Sequence, residues 1–133
     1  MTLREKIFND AQRIVVKVGS RLLVDESGVT SPDRISQLVD ALNHLRIAGK
    51  EVILVSSGAI ASGMSLLGLT QRPKNLPELQ LCAAAGQSRL MSLYEQECAS
   101  RGFHCANSYL WLMMFADRKS TRLNSSHQII SYA

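Results

Sequence analysis

The chain has 133 residues, 46% of them apolar, and a formal net charge of +4, which is the size and composition of one small globular domain. No apolar run is long enough to cross a membrane and the first residues lack a secretory pattern, so we expect a cytoplasmic protein with no membrane partner. The three cysteines, Cys82, Cys98 and Cys105, have no C-x-x-C spacing, which argues against a disulfide framework or a zinc site.

The first elements in chain order are a short helix and a strand. Thr2 and Glu5 have the spacing of a capping box, which predicts a helix to about Asp10. The apolar run Ile14–Val18 predicts the first strand, which carries a single lysine, Lys17.

A helix and a second strand complete a βαβ unit. Ser31 as N-cap and Pro32 at the first helical position begin a helix that Gly49 ends. Its apolar face recurs at helical spacing through Ile35, Leu38, Val39, Leu42 and Leu45. The four consecutive apolar residues Val52–Val55 predict a strand that is buried on both faces of a parallel sheet.

Each of these strands is followed by a turn of small residues. Gly19-Ser20 follows the first strand, and Ser56-Ser57-Gly58 follows the second, after which Ala59 begins a helix. The N–H groups at such a turn lie at the positive end of a helix, where phosphates and carboxylates bind. In a parallel sheet both turns share the carboxyl-terminal edge, where ligands of open α/β sheets bind.

The remaining chain predicts a short helix after the second turn, a long helix and a third strand. The long helix spans about Glu78–Ser100. Its small residues Cys82–Gly86 favour a close approach to another backbone, either the neighbouring turn or a second subunit. Phe103–Leu112 predicts the third strand, which the polar residues Asn107 and Ser108 interrupt.

The last segment, Asp117–Ala133, shows neither helical nor strand periodicity. Its sequence resembles the conceptual translation of a common sequencing adapter, and we interpret residues 117–133 as such a scar, although a natural polar tail is the alternative. Residues 1–116 then form the domain. Without the three basic residues and one acidic residue of the segment the net charge falls from +4 to +2, which does not favour a nucleic-acid partner.

Phosphoryl transfer is a chemistry that two such turns can serve, because it requires charge neutralisation and in-line placement of the acceptor. Lys17 is the candidate cation, Gly19 allows close backbone approach, and Ser20 adds a hydroxyl donor. The candidates for binding an anionic acceptor are Ser57 and the N–H groups of Gly58 and Ala59. Taken alone, Lys17 has the alternative of a solvated side chain. Taken alone, the second turn has the alternative of a plain helix N-cap.

The absence of several known motifs argues against other classes of enzyme and binding site. The sequence has no G-x-x-x-x-G-K-[ST] and no G-x-G-x-x-G after either strand, which argues against a P-loop or a dinucleotide site. Ser57 lacks the preceding glycine of a nucleophile elbow. The three histidines, His44, His104 and His127, have no ligand-like spacing, and we predict no protein-bound metal.

Three motifs carry a family resemblance. V-V-K-V-G-S at Val15–Ser20, V-S-S-G-A-I-A-S-G at Val55–Gly63 and A-A-A-G-Q-S-R-L at Ala83–Leu90 resemble the amino-terminal motifs of the glutamate 5-kinases of the amino-acid kinase family. These motifs also resemble the kinase half of the pyrroline-5-carboxylate synthases. The similarity covers Leu3 to about Ala106.

The resemblance implies a three-layer α/β/α sandwich with a mainly parallel sheet, incomplete in this chain. It also implies ATP-dependent phosphorylation of the L-glutamate side-chain carboxylate, with Mg²⁺ entering with the nucleotide, in proline synthesis. By motif, Lys17 contacts the ATP phosphates and stabilises the transferring group, and Gly19 and Ser20 line the same pocket. Ser57, with Gly58 and Ala59, binds glutamate. A homo-oligomer is expected of the full-length protein.

The chain also departs from the family, whose members continue well beyond this length. The part that has no counterpart here holds an aspartate, an asparagine, the adenine site and a second catalytic lysine, so we expect residues 1–116 to be an inactive amino-terminal part of the domain. Two alternatives stay open. One is a non-catalytic α/β module that binds an anion or assembles with another chain, and the other is a kinase for a different carboxylate or carbamate.

Overall fold

The computed structural model describes residues 1–108 and 127–132. Two of the helices begin where their capping residues predict. The Thr2 hydroxyl accepts from the Glu5 N–H at 3.2 Å, and the Glu5 carboxylate accepts from the Thr2 N–H at 2.6 Å. The helices and strands in chain order are α1 Leu3–Asp10, β1 Arg13–Val18, α2 Ser20–Leu23, α3 Pro32–Ile47, β2 Glu51–Ser57, α4 Ala59–Leu66, α5 Leu76–Ala99, β3 Cys105–Ser108 and β4 His127–Tyr132.

The sheet has the strand order β1-β2-β4-β3. Strands β1 and β2 are parallel, with Lys17 opposite Val55 and Val18 opposite Ser56. Strand β4 is antiparallel to both β2 and β3, so β1, β2 and β3 all run in the same direction. The predicted βαβ unit is therefore confirmed, and its parallel β1–β2 pair agrees with an incomplete α/β fold, whereas both pairings of β4 are antiparallel.

The core lies between one face of this sheet and helices α3 and α5. Its fully buried side chains come from the strands, from α3 and from α5, and include Val52, Leu54, Ile35, Val39, Leu42, Leu90, Tyr94 and Cys98. The prediction that β2 is buried on both faces is wrong. Val52 and Leu54 are buried, whereas Ile53 and Val55 on the opposite face are only half-buried, and Val15 beside them is 60% exposed. A run of apolar residues does not by itself tell how many layers cover a strand.

Helices α4 and α5 cross with their backbones in direct contact. A Cβ atom on Gly86 of α5 would overlap the Ala59 carbonyl oxygen and the Gly63 nitrogen of α4. A Cβ on Gly63 would likewise overlap the Cys82 carbonyl oxygen. The predicted close approach of the small-residue stretch is therefore confirmed, and its partner is the helix that follows the second turn.

Three elements differ from the sequence-based expectations. Helix α5 begins at Leu76, with Asn75 as its N-cap, rather than at about Glu78. Gly19 is the N-cap of the four-residue helix α2, which the sequence did not predict. Strand β3 includes Asn107 and Ser108, which were expected to interrupt it, because backbone pairing with β4 holds them at this position. The expected continuation of this strand to Leu112 lies outside the described residues.

The end of the chain contributes a strand, which contradicts the expectation of no strand there. His127–Tyr132 pairs with β2 on one side and β3 on the other, since an otherwise open strand edge of β2 offers unpaired N–H and C=O groups. The interpretation of residues 117–133 as an adapter scar concerns their origin and stays a prediction. Within the described residues, no helix has the length and apolar character that a membrane span requires.

Candidate functional site

The two predicted turns lie side by side at the carboxyl-terminal edge of β1 and β2. The Ser57 hydroxyl donates to the Val18 carbonyl oxygen at 3.2 Å and so links the end of β2 to the end of β1. A Cβ on Gly58 would lie 3.5 Å from Leu23 Cδ1 and 3.9 Å from Ser20 Cα. The structure thus brings Gly19-Ser20 and Ser57-Gly58-Ala59 together, as the sequence predicted.

The start of helix α4 lacks a side-chain cap. Gly58 is its N-cap, and no side chain in the described part of the chain caps the helix. The alternative in which Ser57 is a plain N-cap is not observed, because its hydroxyl is directed to Val18. The φ angle of Gly58 is +128°, a conformation that side chains other than glycine rarely adopt. The first N–H groups of α4 therefore have no side-chain acceptor among the described residues, as is typical of helix starts that bind anions.

Lys17 lies on β1, one residue before the end of the strand. Its register partner is Val55, and both belong to the sheet face opposite the core. Its side chain is exposed, and within residues 1–108 and 127–132 its ammonium has neither an ion pair nor a hydrogen bond. Ser57 shares this face of the sheet, so the lysine and the serine lie on the same side of the two strand ends.

A buried pair of hydroxyl groups, from Ser56 and Tyr94, lies on the core side of the second turn. Ser56 Oγ lies 3.0 Å from the Tyr94 hydroxyl, and both side chains are fully buried. Ser56 Oγ also donates to the Ser57 carbonyl at 3.3 Å. Burial raises the pKa of Tyr94 to about 12, so the phenol is neutral at physiological pH. The sequence did not predict this pair, because a tyrosine in an apolar helix is typical of a core residue that has no further role.

A groove of about 430 Å³ lies between α4 and residues 27–29 of the loop that follows α2. Ser27, Val29, Met64 and Leu69 are among its lining residues. None of the six predicted site residues lines it, so this groove and the two turns are separate features.

The described structure is that of an α/β protein with a candidate anion-binding edge. Two parallel strands end there in adjoining small-residue turns, next to an exposed lysine and a helix start without a side-chain cap. Residues 12–131 match the model described as "Amino acid kinase family". The chain belongs to the amino acid kinase family, and its α/β fold is an incomplete form of the one expected for that family.

Three curated relatives are named glutamate 5-kinase. The protein from Ralstonia nicotianae is 48% identical over 119 residues, which are 90% of this chain and 32% of the relative. The one from Cupriavidus taiwanensis is 44% identical over 86% of this chain and 31% of its own length. The one from Pelobacter propionicus is 40% identical over 88% of this chain and 31% of its own length. The chain thus spans about a third of the length of these relatives.

Proposed function

We propose that this chain contributes the nucleotide-binding and acceptor-binding turns of a kinase that transfers the terminal phosphoryl group of ATP to the side-chain carboxylate of L-glutamate, the first step of proline synthesis. The observation that carries the proposal is the pairing of two small-residue turns at one sheet edge, joined by the Ser57 to Val18 hydrogen bond of 3.2 Å. Phosphoryl transfer requires a donor phosphate and an acceptor held next to each other, and adjoining turns meet that requirement. Relatives named glutamate 5-kinase support this choice of acceptor.

The first turn holds the nucleotide phosphates. Lys17 supplies the charge, since within the described residues nothing competes for its ammonium. Gly19 has no side chain that would separate its backbone from the phosphates, and the space beside it is open, since a Cβ there would meet no atom within 4 Å. Ser20 adds a hydroxyl. Lys17 also stabilises the charge on the transferring group.

The second turn holds the acceptor. Ser57 uses its hydroxyl proton on Val18, so its oxygen is free to accept a hydrogen bond from the ammonium of an amino acid. The N–H groups of Ala59 and of the residues after it face an acidic group, at the positive end of α4. The ammonium and one carboxylate of L-glutamate make these two contacts, and its other carboxylate remains to receive the phosphoryl group.

Mg²⁺ is the remaining component of the proposal. Its chemistry is to neutralise charge on the β- and γ-phosphates. No three His, Cys, Asp or Glu side chains converge as a metal site in the described part of the chain. We therefore assign Mg²⁺ to the nucleotide rather than to a site made by these residues.

The other parts of the proposal concern the whole protein. It is a cytoplasmic homo-oligomer whose partners are glutamate and ATP rather than nucleic acid or membrane. The adenine site, the second lysine and the remaining glutamate contacts that the resemblance implies do not map onto the described residues. This chain therefore binds its ligands weakly and does not turn over, and an ADP-release assay that depends on both substrates tests the second point.

Calorimetric titration of the chain with Mg-ATP and with L-glutamate tests the proposed function. We expect Lys17→Ala to weaken ATP binding by about tenfold to a hundredfold, as the loss of a charged hydrogen bond predicts. Ser57→Ala weakens glutamate binding and leaves ATP binding nearly unchanged. Lys6→Ala, on helix α1 at the opposite end of β1, removes the same charge and is the matched control.

Each alternative predicts a different result. An assembly module shows no change in either titration with Lys17→Ala or Ser57→Ala, and an anion-binding module binds phosphate but does not distinguish glutamate from other carboxylates. A kinase for another acid retains the Lys17 effect and fails to bind glutamate. Equal effects of Lys17→Ala and Lys6→Ala would refute the assigned role of Lys17.

A further inference from the structure

Helix α5 contacts the residues on both sides of the acceptor turn Ser57-Gly58. At the start of α4, the backbone at Gly86 is packed so closely on Ala59 that no side-chain atom fits between them. At the end of β2, the Tyr94 hydroxyl lies 3.0 Å from Ser56 Oγ. Ser56 and Ala59 are the residues immediately outside Ser57-Gly58. The turn is therefore fixed by one helix from two directions.

The Tyr94–Ser56 contact is polar within a core that is otherwise apolar. The side chains around it include Leu54, Leu90 and Cys98, all fully buried. A phenylalanine and an alanine would fill the same space without placing two hydroxyl groups away from water, and burying polar groups is unfavourable unless they are paired. Stability alone therefore gives no reason for a hydroxyl at both positions.

The order of the hydrogen bonds connects this pair to the turn. Either hydroxyl of the Tyr94–Ser56 pair can be the donor. When the Ser56 hydroxyl donates to the Ser57 carbonyl oxygen, at 3.3 Å, the phenol is the donor to Ser56 Oγ. That carbonyl belongs to the peptide whose nitrogen is Gly58. The rotation of this peptide sets the direction of the N–H groups that follow it.

We propose that Tyr94 is a positioning residue, which holds the Ser57–Gly58 peptide through Ser56 and so orients the acceptor turn. The identity of the ligand as glutamate rests on the proposed function, but the control of the turn by Tyr94 does not. Tyr94 touches no ligand and acts only through Ser56.

Two variants distinguish positioning from a merely structural role. Tyr94→Phe removes the hydroxyl and keeps the ring. Ser56 then retains its longer hydrogen bond to the Ser57 carbonyl oxygen, at 3.3 Å. The double variant Tyr94→Phe with Ser56→Ala removes both hydroxyls and leaves an apolar contact, which recovers stability because no buried hydroxyl is unpaired. Ser62→Ala is the control, since the Ser62 hydroxyl is buried on α4 and has no hydrogen-bond partner within the described residues.

The first measurement is amide hydrogen exchange by NMR at Gly58 and Ala59, together with the thermal unfolding midpoint. We expect exchange to become at least about threefold faster in Tyr94→Phe. In the double variant we expect the midpoint to return close to that of the wild type while exchange stays fast. Ser62→Ala should leave the exchange at Gly58 and Ala59 unchanged, and it should raise the midpoint slightly, because it removes a buried hydroxyl that has no partner in the described part of the chain. Exchange that follows the midpoint, slow again in the double variant, would overturn the proposal.

The second measurement is the affinity for L-glutamate. We expect it to fall about fivefold in Tyr94→Phe and in the double variant alike, the size of one typical hydrogen bond. An unchanged affinity in both variants, when the wild type binds glutamate, would also overturn the proposal. If the wild type binds no glutamate, the proposed function fails, and the exchange rates still decide the role of Tyr94.

Discussion

Replacing Gly86 with alanine is the sharpest test of the contact between helices α4 and α5. The new Cβ would overlap the Ala59 carbonyl oxygen and the Gly63 nitrogen, and would lie 2.8 Å from the Ala59 carbonyl carbon. Ordinary contacts between such atoms begin near 3.5 Å, so the helices must separate by roughly 1 Å or more. Both obstructing groups are backbone atoms, which cannot rotate away as a side chain does.

The expected change in stability is the difference of two opposing terms. Overpacking of this kind costs about 1 to 3 kcal/mol, and the upper end applies to backbone. Alanine in place of glycine inside a helix contributes about 1 kcal/mol in the other direction. The net loss is about 2 kcal/mol, which lowers the unfolding midpoint by roughly 8 °C for a domain of this size.

Thermal unfolding followed by circular dichroism measures this loss, and an exposed position on the same helix supplies the control. Ala84 lies in the interior of α5 and is exposed, so Ala84→Gly reports the helix-propensity term without a steric one. We expect both variants to be destabilised, Gly86→Ala more than Ala84→Gly. If Gly86→Ala instead raises the midpoint by about as much as Ala84→Gly lowers it, the helices do not touch at Gly86 and the reasoning is refuted.

Three further predictions follow from the described contacts. Gly58→Ala forces an alanine to a φ of +128° and should cost about 1 to 3 kcal/mol, with weaker anion binding in a titration with inorganic phosphate. Arg101→Ala, which removes bonds to Asp40 and Glu97, should lower the unfolding midpoint more than Arg13→Ala, whose partner is a single exposed carboxylate; equal shifts would contradict this. The Arg101 hydrogen bonds hold the pKa of Asp40 and the pKa of Glu97 below their usual values. The two ion pairs therefore stabilise the fold above about pH 4, and this stabilisation is lost as the pH falls further. In acid unfolding curves, Arg101→Ala should lose less stability between neutral and acidic pH than the wild type.

The elements that the sequence predicted well are those with local signals. Ser31 and Pro32 mark the start of α3 at the residue where the structure begins it, and the Thr2 and Glu5 pair does the same for α1. The adjacency of the two turns was also predictable, because parallel strands that share a crossover must end at the same edge. These inferences use residues that are neighbours in the chain or follow from topology alone.

The features that escaped prediction depend on residues distant in sequence. Tyr94 and Ser56 are 38 positions apart, and neither residue alone indicates a hydrogen bond. The small residues around Gly86 predicted a close contact but left two partners open, and only the packed structure identifies α4. The exposure of Val15 was hidden because an apolar strand has the same sequence pattern whether one face or both are covered.

The serines of the second turn explain how its helix remains available to a ligand. A serine next to a helix start ordinarily caps it and satisfies its first N–H groups. Here Ser56 is directed into the core toward Tyr94, and Ser57 donates to Val18, so both hydroxyls are used elsewhere. The N-cap falls to Gly58, which has no side chain to offer. The same two serines that tie the turn to α5 and β1 therefore leave the start of α4 uncapped, and an external anion can take the place of the missing cap.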